Sequence, residues 1–130
     1  MNRYEAPISE ILYVLNHFLD SKRVLNNFND IDKDSLNSII KECGKLSEKI
    51  LFPINKIGDR FPPKFKNGNV ICHESFVSAY KKISADGWIG LGASKINGGL
   101  GFPLLIVTAI NEIMSSGCLS LSLNFLLTRG

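Results

Sequence analysis

The sequence predicts an all-α fold: an orthogonal or up-down helical domain of four to five helices with a glycine-rich packed loop. Three observations predict it. Apolar residues recur at three- and four-residue steps along most of the chain, the spacing that lines one face of a helix. Residues that start or stop helices, Pro7, Asp32, Pro53, Gly87 and Pro103, fall at the ends of those stripes. The alternation of strand and helix patterns that a parallel sheet requires occurs nowhere.

The first helix is expected near 7–20, opened by Pro7, with Ile8, Ile11, Leu12, Leu15, Phe18 and Leu19 on its stripe. His17 lies on the flank of that stripe. With no second ligand three or four residues away, it is a boundary histidine rather than a metal ligand. Residues 21–31 are polar and asparagine-rich, and read as a loop. The second helix, near 32–51, carries the strongest signals. Asp32 caps its N-terminus, Asp34 favours the positive end of the dipole, and Ile31 with Leu36 forms a hydrophobic staple. Leu36, Ile39, Ile40, Cys43, Leu46, Ile50 and Leu51 give its buried face, Gly44 marks a close helix crossing, and Pro53 stops it. Beyond it, Ile57-Gly58-Asp59-Arg60 and Pro62-Pro63 argue against a regular element. Asn67-Gly68-Asn69 is a turn signal, and Val70-Ile71-Cys72 a short extended piece.

A third helix is expected near 75–86, capped by Ser75 or by the polar pair before it, with Phe76, Ala79, Tyr80 and Ile83 inward. Gly87 ends it. The stretch Gly87–Pro103 then holds six glycines in seventeen residues, too many for a helix interior. It also holds Trp88, Ile89, Leu91, Ile96, Leu100 and Phe102, too much apolar surface for a solvated linker. A packed loop satisfies both facts, with Trp88 and Phe102 inside and a turn at Asn97-Gly98-Gly99. Pro103 opens a fourth helix near 103–115, and Gly117 breaks it. The run from Leu119 to Leu127 fits an alternating strand or a fifth helix near 119–128, and five helices make the more coherent whole.

At 130 residues the chain suits one domain with a real core. Its 45% hydrophobic and 21% charged content belong to a globular chain, and a net charge of +3 gives no footprint for a nucleic-acid partner. The distribution of charge says more. Residues 1–66 hold eleven basic and nine acidic side chains, whereas residues 96–128 hold one charge, Glu112. The C-terminal third therefore forms the centre of the domain or expects a cover. Three widely spaced cysteines and an opening MNRYEAPISE without a signal peptide suggest a reducing, cytoplasmic setting. The longest apolar run, Phe102 to Ile110, is about half a bilayer span, so no transmembrane segment is expected.

A search for chemistry finds no catalytic residue and no metal site. With His17 and His73 the only histidines, no nucleophile–base arrangement stands out. Cys72 and His73 are adjacent and lack the further ligands of a tetrahedral site. Gly98-Gly99-Leu100-Gly101 follows no parallel strand and lacks the lysine and hydroxyl of a phosphate-binding loop. Glu112, alone in the apolar third, fits a solvent-exposed helix flank.

Five segments in order nevertheless resemble one family. They are Tyr4-Glu5-Ala6-Pro7, Leu51-Phe52-Pro53-Ile54-Asn55-Lys56-Ile57-Gly58-Asp59, Phe76 through Tyr80, Gly87-Trp88-Ile89-Gly90-Leu91, and Gly98-Gly99-Leu100-Gly101-Phe102-Pro103. Together they look like the N-terminal helical domain of the acyl-CoA dehydrogenases, in particular the larger bacterial members. The resemblance spans nearly the whole chain. It implies a flavoprotein using FAD, with a middle β-domain and a C-terminal helical bundle that carry the catalytic glutamate and most flavin contacts. It further implies acyl-CoA as substrate and an electron-transfer flavoprotein as electron acceptor. On that basis Phe102, Leu105, Ile106 and Ile110 are expected to form a wall of the acyl pocket, with Trp88, Gly98, Gly99, Gly101 and Pro103 as the structural loop. The 130 residues are then an incomplete enzyme, inactive alone and holding no FAD stably, that pairs with a downstream fragment or with itself. An independent helical interaction module, or a small acyl-chain carrier without redox activity, is the alternative.

Overall fold

Asp32, itself extended, begins the longest helical run among the described residues. A computed structural model of the protein describes residues 4–19, 23, 25, 26 and 31–127. The Asp32 carboxylate accepts the Ser35 N–H at 2.7 Å. That bond satisfies a backbone donor at the helix start and holds the Asp32 carboxyl below its usual range. Ile31 and Leu36, the two ends of the expected staple, are both buried. Helix α2, Lys33–Leu46, follows. It carries into a π-helical turn, Ser47–Leu51, and then into α3, Phe52–Arg60.

Pro53 therefore does not stop the helix, and Ile57-Gly58-Asp59-Arg60 is helical rather than irregular. The π turn explains both. The Phe52 N–H bonds to the Ser47 carbonyl five residues back, which resets the helical register. Pro53 then sits in the first turn of α3, where a missing N–H costs little. Gly58 serves packing and not a turn: a side chain there would collide with the Phe76 ring.

The other elements follow the expected order. Helix α1, Ile8–Tyr13, continues as a π turn, Val14–Phe18, while Asp20 and most of the expected loop at 21–31 lie outside the described residues. Strands β1, Lys64–Lys66, and β2, Asn69–Ile71, form an antiparallel hairpin with Phe65 opposite Val70. Its two-residue turn has φ of 52° at Asn67 and 77° at Gly68, the left-handed pair that suits the strand twist. Helix α4, Glu74–Ala85, is capped by His73, whose ring nitrogen accepts the Ser75 N–H. The glycine-rich loop leads through a single 3₁₀ turn, Lys95–Asn97, to α5, Leu104–Gly117. The final apolar run resolves as a helix, α6, Leu119–Leu127, with Thr128 outside the described residues. Apart from the hairpin, the described regular elements are helical, an all-α domain with five helices of seven residues or more.

The core lies where α5 crosses the α2–α3 helix. Ile40, Leu51, Ile106, Ile110, Ile113 and Met114 are fully or almost fully buried there. Two glycines make the crossings close. A methyl at Gly44 would stand 2.6 Å from Ile8 Cδ1, as the sequence suggested, and one at Gly117 would strike the Ser47 hydroxyl. That hydroxyl donates to the Ile113 carbonyl at 2.8 Å, so a buried polar group is satisfied across the interface. The N-terminal segment straps the same crossing. Ala6 N–H donates to Glu48 at 2.9 Å, Tyr4 stacks on Phe52, and the Tyr4 hydroxyl bonds with Ser116.

Two substitutions test this core. Gly117→Ala should lose about 1–3 kcal/mol in urea unfolding, because the added methyl displaces Ser47. Ser122, buried with a hydroxyl that has no partner among the described residues, should behave oppositely. Ser122→Ala should gain about 1 kcal/mol in the same measurement by removing an unsatisfied group.

Candidate functional site

The glycine-rich loop positions the start of α5 by hydrogen bonds to itself. Gly87, at φ 81°, ends α4, and the Trp88 N–H returns to the Ile83 carbonyl at 3.1 Å. The Gly90 carbonyl accepts both Ala93 N–H and Leu100 N–H, at 3.2 and 3.1 Å. Gly101 N–H bonds to Ala93 O at 2.9 Å, and Phe102 N–H to Leu91 O at 2.8 Å. The two arms of the loop are thus zipped together. Gly99 passes so close to the Ala93 carbonyl that any side chain would clash, and Gly101 adopts φ of 65°. Trp88 and Phe102 rest half-buried against the core, and buried Pro103 is the N-cap of α5, one residue before its start.

Helix α5 is apolar on two faces. Ile106, Val107, Ile110, Ile113 and Met114 face the core. The stripe Leu104, Leu105, Thr108, Ala109 and Glu112 lines a hollow of about 520 Å³, with Ile11, Val14, Leu15 and Leu19 of α1 and its continuation opposite. A second hollow, of about 620 Å³, lies between the loop and α5 and is lined by Ile89, Gly92, Phe102, Leu104 and Val107. Leu104, 78% exposed, borders both.

Of the residues expected to form an acyl wall, Phe102 lines the second hollow and Leu105 the first. Ile106 and Ile110 line neither, being buried behind them in the core. Leu104 and Thr108 went unnoticed as lining residues. The signal that finds them is their i, i+4 spacing with Glu112, the single charge of the third.

Among the described residues that line the first hollow, the charged ones are two carboxylates, Glu10 and Glu112. The Glu10 carboxyl is held below its usual range by its own backbone N–H and then by the Ser9 hydroxyl, which donates at 2.8 Å. Among the described residues there is no group of three or more His, Cys, Asp or Glu able to hold a metal. The loop also makes a poor phosphate cradle. The N–H groups of Gly98, Gly99, Leu100 and Gly101 are already donated to Lys95, Ser94, Gly90 and Ala93. The residues present thus do not fit the pyrophosphate of a dinucleotide at this loop. Beneath α5, burial pushes the Cys43 thiol up from 9.0 to about 12, and its Sγ points at the Ile110 carbonyl at 3.8 Å.

The helical fold, the zipped glycine loop and the doubly apolar α5 define a class. The chain is an all-helical homologue of the acyl-CoA dehydrogenase family, with no β-domain among the described residues, consistent with an N-terminal helical subdomain. It is 30% identical over 129 residues to the 3-methylmercaptopropionyl-CoA dehydrogenase of Ruegeria pomeroyi, covering 98% of this chain and 22% of that protein. It is 28% identical over 116 residues to the broad-specificity linear acyl-CoA dehydrogenase FadE5 of Mycobacterium tuberculosis, covering 86% and 19%. The chain therefore spans about a fifth of the length of these curated relatives. No family model matches it. Among the described residues, no helix is long and apolar enough to cross a membrane.

The Cys43 shift has a measurable consequence. A thiol whose folded value is raised holds its proton more tightly in the folded state. Its stabilising contribution is complete below pH 9.0 and is lost as pH climbs towards 12. Cys43→Ala should flatten the fall of unfolding free energy across that window by about 1.4 kcal/mol per pH unit. Equilibrium urea unfolding at a series of alkaline pH values measures it.

Proposed function

We propose that the chain is the N-terminal helical part of a flavin-dependent acyl-CoA dehydrogenase, contributing one wall of the acyl pocket. The observation that carries the reading is the outer face of α5. Leu104 and Leu105 line apolar hollows that this domain leaves open, on a helix whose other face is already the core. A fatty chain needs such a wall, dry and shaped: the second hollow is lined without a charged residue, and the first carries charge only at Glu10 and Glu112 of its described lining. Phe102 and Leu105 would touch the chain, while Ile106 and Ile110 hold the helix rigid from behind. Trp88, Gly98, Gly99, Gly101 and Pro103 would keep the loop and the first turn of α5 in place.

In this reading the reaction is α,β-dehydrogenation of an acyl-CoA thioester, in which FAD of the complete enzyme takes up the hydride. This domain's own share is to exclude water from the acyl chain and set how much of it fits. The base that removes the α-proton, most flavin contacts and the docking of an electron-transfer flavoprotein belong to the remaining four-fifths of the enzyme. The 130 residues then turn nothing over by themselves and pair with a downstream fragment or with a second copy.

The domain's inactivity is tested by assaying the 130 residues with saturated acyl-CoAs and an electron-accepting dye. Dye reduction dependent on acyl-CoA would refute it. The wall is tested by Leu104→Trp in the assembled enzyme, a change at an exposed position that the fold should tolerate. It should lower kcat/KM roughly tenfold for the longest acyl-CoA accepted and leave the shortest unchanged, a loss of about 1.4 kcal/mol. An equal effect at every chain length would remove α5 from the pocket.

A further inference from the structure

The β1–β2 hairpin is a finger that the helical body leaves uncovered. All six strand residues are exposed. Phe65 is 76% exposed and Val70 68%, and they stand opposite each other on one face of the ribbon. Ile71, also exposed, lies on the other face opposite Lys64, and Lys66 lies there opposite Asn69. The chain approaching the finger adds Arg60 and a Phe61 that is more than half exposed. Between Asp59 and Glu74 the charges are Arg60, Lys64 and Lys66, without an acid.

We propose that this hairpin docks the protein on the surface of an anionic phospholipid bilayer. Three features select that occupant. The charge is of one sign, so the partner is anionic. Phe65 and Val70 share one face of the thin ribbon and Lys64 and Lys66 the other, the amphipathic division of a segment that rests at a headgroup boundary. On β1 the aromatic Phe65 sits between Lys64 and Lys66, and on β2 Val70 and Ile71 add aliphatic surface without an acidic residue. The turn, Asn67-Gly68, is polar, so the finger lies along the surface rather than entering tip first. Phe65 and Val70 then reach the acyl boundary while Lys64 and Lys66 extend to the phosphates. Attachment of this kind is peripheral. It does not rest on the acyl-pocket reading.

The test uses the purified protein, sedimented with vesicles of phosphatidylcholine alone and of phosphatidylcholine mixed with phosphatidylglycerol. The protein should bind the mixed vesicles at low salt, and at least about tenfold more weakly at high salt. Lys64→Glu with Lys66→Glu should weaken binding at least about thirtyfold. Phe65→Ser with Val70→Ser should weaken it about tenfold, with far-UV circular dichroism unchanged because all four positions are exposed. Equal binding to uncharged vesicles, or undiminished binding by both double variants, overturns the proposal. So does strong protection of amides 61–72 from hydrogen exchange without vesicles, which would show that protein already covers the finger.

Discussion

The crossing of α5 over the π turn between α2 and α3 is the contact on which the rest of the structure depends. Gly117 lets the two backbones approach, and Ser47 uses the gap to reach the Ile113 carbonyl. The π turn that begins at Ser47 lets the helix pass Pro53 without breaking. Two consequences follow. One is that α5 is held rigidly by its inner face, leaving its outer face to line the hollows. The other is that α3 continues to Arg60, where Gly58 receives the Phe76 ring and so seats α4, with the hairpin carried between them. A single register change in one helix thus places both surfaces with functional character.

Much of this was legible in the sequence because it is decided locally. The Asp32 cap, the Asn67-Gly68 turn and the stop at Gly87 each depend on a few consecutive residues, and each stands where expected. The passage through Pro53 was not legible, because nothing in the residue types near it announces that a π turn precedes it. Gly58 was misread for a similar reason. Beside Asp59 it has the look of a turn, while its partner, Phe76, is eighteen residues away.

The candidate site was half legible, and the reason lies in α5. A helix with one apolar stripe declares which way it faces, but one that is apolar nearly all round does not. Phe102, Leu105, Ile106 and Ile110 are chemically alike, yet the first two border hollows and the last two fill the core. Among the residues of α5, Glu112 alone is charged. Stepping back along the helix from it by four residues gives Thr108 and Leu104, the line that faces outward.

The two uncovered apolar regions of this small domain differ in shape and in charge. The hollow beside α5 is concave and carries carboxylates alone, Glu10 and Glu112. The hairpin is convex, and the charges on its strands, Lys64 and Lys66, are both cationic. Carboxylates beside the hollow oppose an anionic headgroup, so that region suits an uncharged chain or another protein surface rather than a bilayer. The hairpin has the reverse preference, since its lysines would repel a cationic partner and its thin ribbon offers no enclosure for a ligand. Each region therefore disfavours the occupant proposed for the other.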